Sequence, residues 1–136
     1  VFYRVRERDG AALWEVAPEY QVLDDTAYFA PDAPEGRTHR TGDNYDLHEA
    51  RVRPTRGLGE WNTGRIVVRG ARVEHWLNGE RTVAYEYDTD AWRALVEQSK
   101  FDPEIYARAG SGSIGLQDHG TPVWYRNIKI REIKAE

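Results

Sequence analysis

Hydrophobic and polar positions alternate along most of the chain in the way of short β-strands. Eight stretches are predicted to be strands: 1–8, 14–23, 45–53, 65–69, 72–77, 82–87, 114–117 and 123–133. Asn78-Gly79 separates two of them and predicts a tight hairpin, because these residues tolerate the positive φ angles of such a turn. Alternation near the end predicts that Ile128 and Ile130 face the core. Residues 24–44, rich in Asp, Pro, Gly and Thr, predict a long loop.

One helix is predicted near residues 90–100, with Asp88 or Asp90 as its cap. The positions with the spacing of one helix face are Trp92, Leu95, Val96 and Ser99. Short strands with a single surface helix are typical of an all-β protein, so residues 1–136 are predicted to form one antiparallel β-sandwich domain. Two full jelly-roll sheets need more strands. We therefore expect either a small sandwich or missing first strands before Val1.

Composition excludes several classes of protein. The 136 residues suffice for one domain, and a net charge of −4 without a basic run argues against a nucleic-acid partner. The chain has no cysteine, which excludes disulfides, thiolate nucleophiles and cysteine-based zinc sites. No apolar run approaches the roughly 20 residues of a membrane span. No signal peptide is visible, and the four histidines lack metal-ligand spacing.

Five Trp and eight Tyr form an aromatic excess. An aromatic face packs on C–H groups while the N–H or O–H finds a polar partner, so such residues serve both cores and sugar-binding surfaces. An acidic, β-rich chain with this excess fits carbohydrate binding. The sequence motifs of nucleophile-elbow hydrolases, phosphate loops and HExxH metalloenzymes are absent.

Glu19 belongs to the first candidate site. In an extended strand Glu19 and Gln21 share a face about 6–7 Å apart, and a carboxylate beside an amide can bind sugar hydroxyls. An exposed polar stripe on an antiparallel strand is the alternative. The acidic residues that follow, Asp24, Asp25 and Asp32, fit either a cation site with oxygen ligands or a solvated loop.

His119 belongs to the second candidate site. If Ile114 and Leu116 face the core, Gln117 and His119 point away from it. A histidine in that place can act as a general base or acid near neutral pH. A surface histidine at the turn before Gly120 is the alternative.

The predicted hairpin carries a third group of interest. His75 shares its face with Val73 and Leu77, which favours a hydrogen-bonded core histidine. Trp76 lies on the opposite face, where it is either a platform for a sugar ring or a packing residue.

Five motifs in a fixed order carry a resemblance to a known family. They lie within residues 19–24, 42–47, 59–67, 73–79 and 115–128. The first is Glu-Tyr-Gln-Val-Leu-Asp, and the last opens with Gly-Leu-Gln-Asp-His-Gly. Over nearly its whole length the chain resembles the 3-keto-disaccharide hydrolase domain family. The resemblance implies a concanavalin A-like jelly-roll sandwich, and since members normally carry a further segment before the first strand, the chain is expected to be the later part of such a domain.

The resemblance also implies an activity on glycosides already oxidised at C3 by a separate sugar 3-dehydrogenase. A ketone at C3 acidifies the proton on C2, so a base can remove it. The C1 substituent then leaves by β-elimination, and hydration completes the cleavage. This chemistry needs a base and donors for the enolate oxygen, not the carboxylic acid pair of ordinary glycosidases. A divalent cation that assists enolate formation is a candidate cofactor, with unassigned ligands.

Site roles follow from the matched motifs and the strand alternation. His119 is expected to be the base or acid, with Glu19 as its partner or the alternative base. The residues expected to bind hydroxyls or the C3 oxygen, or to shape the sugar pocket, are Gln21, Gln117, Tyr45 and Trp76. A bacterial protein of the periplasm or the cell exterior is expected, and the oligomeric state is left open.

Two other functions compete with the enzyme. A non-catalytic, lectin-like carbohydrate-binding module predicts sugar affinity that survives loss of His119 but falls when Trp76 is truncated. An adhesion or interaction domain predicts neither sugar affinity nor turnover.

Overall fold

The computed structural model describes residues 1–133. Within that range the chain forms strands, short helices and a 3₁₀ turn. In chain order they are β1 (Phe2–Val5), α1 (Leu13–Val16), α2 (Asp25–Tyr28), the 3₁₀ turn (Pro34–Gly36), β2 (Gly64–Arg69), β3 (Arg72–Leu77), β4 (Glu80–Glu86), α3 (Asp90–Gln98) and β5 (Ser113–Gly115). All strand pairs are antiparallel, which confirms an antiparallel β architecture with few helices. The jelly-roll arrangement stays a prediction.

The larger sheet is the β2–β3–β4 meander. Its β3–β4 hairpin turns at Asn78 and Gly79, whose φ angles of 49° and 90° are the positive pair that the dipeptide predicted. Val73, His75 and Leu77 point inward from β3 and are buried. Sequence alternation therefore predicted both this hairpin and its core face.

The smaller sheet places Glu19 beside β1. Phe2 of β1 lies opposite Gly115 of β5, and an isolated bridge pairs Phe2 with Glu19 on its other side. Residues directly opposite in antiparallel strands carry their side chains on the same face, so Glu19, Phe2 and Gly115 share one face. Part of that face is covered by α1, because a Cβ at Gly115 would lie 3.1 Å from Cδ1 of Leu13.

The main core lies on the inner face of the meander, against α3 and the segment that follows it. Trp92 and Val96 point from α3 into this core. Phe101 and Tyr106 stack there with ring centroids 3.9 Å apart. In the described part of the chain, every helix is too short or too polar to span a membrane.

Helix α3 confirms the predicted helix but has a different cap. The hydroxyl oxygen of Thr89 accepts a hydrogen bond from the backbone N–H of Trp92 at 3.2 Å. Asp88 and Asp90 instead pair with the guanidinium of Arg93. Since Asp88 has a φ of 60°, its backbone lies outside the conformation of a capping residue.

The predicted strand at 14–23 is replaced in its first part by α1. The carboxylate of Glu15 accepts a hydrogen bond from the backbone N–H of Ala12 at 2.6 Å, which closes the first turn of this helix. Extended pairing begins further on, at Glu19 and Tyr20. A local capping interaction therefore outweighs the strand alternation here.

The predicted strand at 45–53 was also wrong. Backbone N–H groups of Leu47 and His48 both donate to the carbonyl oxygen of Asn44, which curls the chain into a turn. The buried carboxylate of Asp43 accepts backbone N–H groups on both sides of this turn, at 2.7 Å each. The buried side chain of Asp43 sets the course of the backbone here. The alternation of hydrophobic and polar residues carries no information about such a contact.

The last two predicted strands differ most from the structure. The first of them is shortened to β5, and residues 123–133 contain no strand. Four side chains expected to face the core are exposed, by 49% at Ile114, 46% at Leu116, 62% at Ile128 and 78% at Ile130. Alternation predicts a buried face only where another layer covers it, and no element of residues 1–133 covers this segment.

Candidate active site

Glu19 places a carboxyl group in the protein with only 6% of the residue exposed. Its backbone is fixed by the bridge to Phe2 and by the N–H of Tyr45, which donates to the Glu19 carbonyl oxygen at 3.1 Å. Within residues 1–133 no side-chain hydrogen bond or ion pair satisfies the carboxylate. Burial raises the pKa of Glu19, because the charged form loses its hydration. Such a carboxyl group is suited to taking up a proton.

Several cationic or titratable side chains lie near this carboxyl. In their charged forms they oppose the effect of burial on the Glu19 pKa, and they are Lys100, His119 and His39. Glu19 and His119, predicted as partners from separate motifs, therefore lie within electrostatic reach of each other. We call Glu19, His39, Tyr45, Lys100 and His119 the Glu19 cluster.

His39 is held in a fixed orientation. Its Nε2 lies 3.1 Å from Oδ1 of Asp46, and its Nδ1 lies 2.8 Å from the carbonyl oxygen of Glu35 in the 3₁₀ turn. The ring also packs against Tyr45, with centroids 4.5 Å apart. Because both ring nitrogens already face oxygen acceptors, His39 contributes charge and shape to the site rather than a free donor.

Lys100 reaches the cluster from the end of α3. Its backbone N–H donates to Oδ2 of Asp46 at 3.1 Å, and its Nζ donates to the hydroxyl oxygen of Tyr45 at 3.0 Å. The ammonium lies 4.8 Å from the ring centroid of Trp14 and 4.4 Å from that of Tyr45. These aromatic faces attract the cation.

Tyr125 also lies within electrostatic reach of Glu19. It is half-buried, and burial together with the charge of Glu19 raises its pKa. The segment after His119 therefore returns toward Glu19. Tyr125 thereby adds a phenol group to the surroundings of the candidate base.

The remaining predicted site residues differ in how close they lie to the Glu19 cluster. The side-chain amide of Gln21 donates to the carbonyl oxygen of His39 at 3.1 Å, so Gln21 holds the backbone that carries one member of the cluster. Gln117 is half-buried and lies two residues beyond Gly115, toward His119. Trp76 lies elsewhere: its Nε1–H donates to Glu74 at 3.0 Å, and the guanidinium of Arg65 lies 4.2 Å from its ring centroid.

His75 is a core histidine, as expected. It is fully buried, and Nε2 lies 2.8 Å from the hydroxyl oxygen of Tyr3. It therefore belongs to the packing of the meander rather than to the Glu19 cluster.

The acidic loop has structural roles that account for two of its three carboxylates. Asp24 caps α2 by accepting the backbone N–H groups of Thr26 and Ala27. Asp25 accepts the backbone N–H of Thr41 at 2.8 Å. Across residues 1–133 no group of three or more metal-ligating side chains is gathered.

Sequence reasoning missed His39, Lys100 and Tyr125 as site residues. His39 lies in the long loop at 24–44, and Tyr125 lies inside one of the five motifs, so both were in regions already singled out. For Lys100 the available indication was that lysine is rare in this chain, which has sixteen arginines but three lysines.

Together the fold and the Glu19 cluster define an antiparallel β domain with a candidate acid–base site. The chain belongs to the 3-keto-alpha-glucoside-1,2-lyase-like domain family, whose model matches residues 1–131.

Two known proteins illustrate the similarity. A 3-keto-disaccharide hydrolase of Bacteroides thetaiotaomicron is 33% identical over an alignment of 153 positions, which covers 96% of this chain and 52% of the relative. A crystal structure from Parabacteroides distasonis, described provisionally as a glycosyl hydrolase, matches with a TM-score of 0.69 and 28% identity. That match covers 80% of this chain and 53% of the other. The chain therefore spans about half the length of the proteins it matches.

Proposed function

We propose that this protein cleaves glycosides of 3-keto sugars by removing the C2 proton and eliminating the C1 substituent. The family membership and the hydrolase names of both similar proteins support action on carbohydrates. The observation that carries the proposal is the largely buried carboxyl of Glu19, which forms no ion pair within residues 1–133 and lies within electrostatic reach of His119 and Lys100.

Each step of the reaction balances without an added oxidant or reductant. The base takes the C2 proton, and the C–H electron pair forms a C2–C3 double bond while the carbonyl pair moves onto the C3 oxygen. The C3 carbonyl then re-forms, a C1–C2 double bond appears, and the C1–O bond breaks. The leaving oxygen keeps that pair and takes a proton. Addition of water to the C1–C2 double bond completes net hydrolysis.

Glu19 suits the role of base. Burial raises its pKa, so it binds a proton more tightly than an exposed glutamate while the nearby cations keep it ionisable. His119 is exposed and would return a proton to the leaving oxygen, or replace Glu19 as the base. A positioned base or acid contributes about 10²–10⁴-fold to such a step.

Sugar binding would use the groups around this pair. The side-chain amides of Gln117 and Gln21 would hydrogen-bond to sugar hydroxyls. One N–H of the Gln21 amide already donates to the His39 carbonyl oxygen. Tyr45 offers an aromatic face beside His39 and Lys100. Trp76 would contribute only as a more distant platform, because its contacts are with Arg65 and Glu74.

The wider setting is also proposed. A sugar 3-dehydrogenase would supply the oxidised substrate, and the periplasm or the cell exterior would be the place where both act. A divalent cation would assist enolate formation, but since the described residues gather no ligand set, no step is assigned to it.

A product-resolved NMR assay on the full-length protein tests the proposal. The protein is incubated with a 3-keto-glucoside and with the unoxidised glucoside, each with and without a chelator. We expect loss of the aglycone from the keto sugar alone. Cleavage of the unoxidised sugar at a comparable rate would contradict the mechanism, and loss of turnover with chelator would add a metal to it.

A lectin-like module is the second candidate, favoured by exposed aromatic rings. Trp124 is 73% exposed, and Trp61 is 42% exposed with the guanidinium of Arg126 lying 3.9 Å from its ring centroid. Such rings are typical sugar platforms. Sugar affinity without turnover, lost in Trp124→Ala and kept in Glu19→Gln, would favour this function over the enzyme.

A further inference from the structure

Lys100 has unused hydrogen-bonding capacity at its place in the Glu19 cluster, where it contacts Tyr45. An ammonium group carries three N–H donors, and one of them is engaged by the hydroxyl oxygen of Tyr45. Within residues 1–133 no carboxylate forms an ion pair with Lys100. The aromatic rings of Trp14 and Tyr45 attract the cation without neutralising its charge. A cation in this state is ready to bind an anionic oxygen.

The other positive side chains near Glu19 are less suited to that task. His39 has both ring nitrogens occupied, by Asp46 and by the carbonyl oxygen of Glu35. His119 has the proton-transfer role in the proposed function. Lys100 therefore stands out as the cation with donors left for a substrate.

The position of Lys100 is fixed by its backbone. Its N–H is bound to one oxygen of Asp46, whose other oxygen faces His39. The backbone from which the Lys100 side chain extends is therefore held in place relative to His39 by the shared Asp46 carboxylate. The chain has sixteen arginines but three lysines. At this position the compact ammonium of a lysine suits a single developing charge better than the planar guanidinium of an arginine would.

We infer that Lys100 donates a hydrogen bond to the C3 oxygen of the substrate and stabilises the negative charge that develops there. The inference rests on the proposed function. As the C2 proton moves to the base, the carbonyl electron pair of C3 localises on oxygen, and an N–H of Lys100 bonds to that enolate oxygen. The proton stays on nitrogen throughout. When the carbonyl re-forms and the C1–O bond breaks, the charge leaves the C3 oxygen and the hydrogen bond weakens.

Two measurements on the full-length protein separate this role from protonation of the leaving group. Deuterium exchange at C2 of methyl 3-keto-glucoside, followed by NMR in D₂O, reports enolate formation alone. Release of nitrophenol from nitrophenyl 3-keto-glucoside reports elimination of a group that needs no protonation. Loss of a single charge-stabilising donor typically costs about 10²–10³-fold in rate. Lys100→Met, which keeps the apolar stem, should therefore slow both reactions by about this factor.

Two further variants frame the result. Lys100→Arg retains the charge and should recover part of the loss. Lys129→Met removes a different exposed lysine and should react at the wild-type rate. Melting curves of all three variants check that they are folded.

The pH dependence provides an independent readout. The charge of Lys100 lowers the pKa of Glu19, against the larger effect of burial, so its removal should move the acidic limb of kcat/KM to higher pH. Exchange and nitrophenol release within twofold of wild type on the alkaline plateau would overturn the inference. So would a loss confined to methanol release from methyl 3-keto-glucoside, with C2 exchange and nitrophenol release unchanged, which would make Lys100 a leaving-group acid. Wild-type protein that shows neither C2 exchange nor nitrophenol release would overturn the proposed function and this inference together.

Discussion

The hydroxyl oxygen of Tyr3 lies 2.8 Å from Nε2 of His75, and both side chains are buried in the core. Nδ1 of His75 faces the carbonyl oxygen of Gly42, so the neutral ring carries its proton there and Nε2 is an acceptor. Tyr3 therefore donates to His75 and accepts from the hydroxyl of Tyr85, also 2.8 Å away. Burial lowers the pKa of His75 to about 3, which keeps this arrangement neutral at ordinary pH.

Tyr3→Phe should destabilise the protein. The change leaves Nε2 of His75 buried without a donor, and an unsatisfied buried group costs about 1–3 kcal/mol. Urea unfolding at neutral pH measures the free energy of unfolding. Tyr28→Phe, at a residue 53% exposed, is the matched control and should change it little. Equal effects of the two substitutions would show that the Tyr3 hydroxyl has no structural role.

Acid should destabilise the protein through its buried histidines. Burial lowers the pKa of His75 to about 3 and that of His48 to about 4, whereas both titrate near 6.5 in the unfolded chain. Below pH 6.5 the unfolded state therefore binds protons that the folded state does not. The free energy of unfolding consequently decreases as the pH is lowered. Asp43, whose pKa burial raises to about 6, acts in the opposite direction between pH 6 and 4.

His48→Gln isolates one of these histidines. Nδ1 of His48 is the acceptor for the side-chain amide of Asn44 at 2.9 Å, so the ring is neutral in the fold. Removing it should flatten the dependence of unfolding free energy on pH between 6 and 4.5 by up to about 1.4 kcal/mol per pH unit, the value for one proton. Urea unfolding across this pH range checks the difference. A slope identical to wild type would mean that His48 is protonated in the folded protein.

Glu19→Gln should separate activity from stability. If Glu19 is the base, turnover of a 3-keto-glycoside falls by about 10²–10⁴-fold. The free energy of unfolding should stay the same or rise, because a neutral amide replaces a buried carboxyl whose charged form is disfavoured. Parallel kinetics and thermal melting measure both quantities.

His119→Ala is the partner experiment. Its activity should also fall, with little change in stability, because His119 is exposed. If Glu19→Gln retains near wild-type turnover while His119→Ala does not, the base is His119 and Glu19 only orients it.

Gly112→Ala should disrupt the pairing of β1 with β5. A Cβ at Gly112 would lie 2.2 Å from the backbone carbonyl oxygen of Val5, a contact that no side-chain rotation relieves. We expect a loss of more than about 2 kcal/mol in unfolding free energy and reduced turnover. Gly110→Ala, where a Cβ meets nothing within 4 Å, is the control and should behave like wild type. Equal stability of the two variants would contradict the described β1–β5 contact.

The parts of the fold that sequence predicted are those decided within a few residues. The β3–β4 hairpin follows from Asn78-Gly79 and the alternation beside it, and α3 follows from its apolar spacing. The turn after Asn44 could not be predicted in this way, because the carboxylate of Asp43 directs it from inside the protein. Nor could the exposure of Ile128 and Ile130, which depends on whether another layer covers them.

The candidate site was predicted in part for a similar reason. Glu19 and His119 each lie in a motif of the resemblance, so their types and positions were informative without a structure. Lys100 lies in none of these motifs, and it joins the cluster through its hydrogen bonds to Asp46 and Tyr45. Contacts between segments about fifty-five residues apart are set by tertiary packing, which a single sequence does not encode as a local pattern.

β1 runs between the two halves of the site, since Phe2 touches Glu19 on one side and Gly115 on the other. The carboxyl and the segment leading to His119 thus have no direct strand pairing with each other and are aligned through this one strand. Detachment of β1 would remove that alignment and would also break the hydrogen bond between Tyr3 and His75, which links this strand to the meander. The geometry of the candidate site and the integrity of the core therefore depend on the same strand.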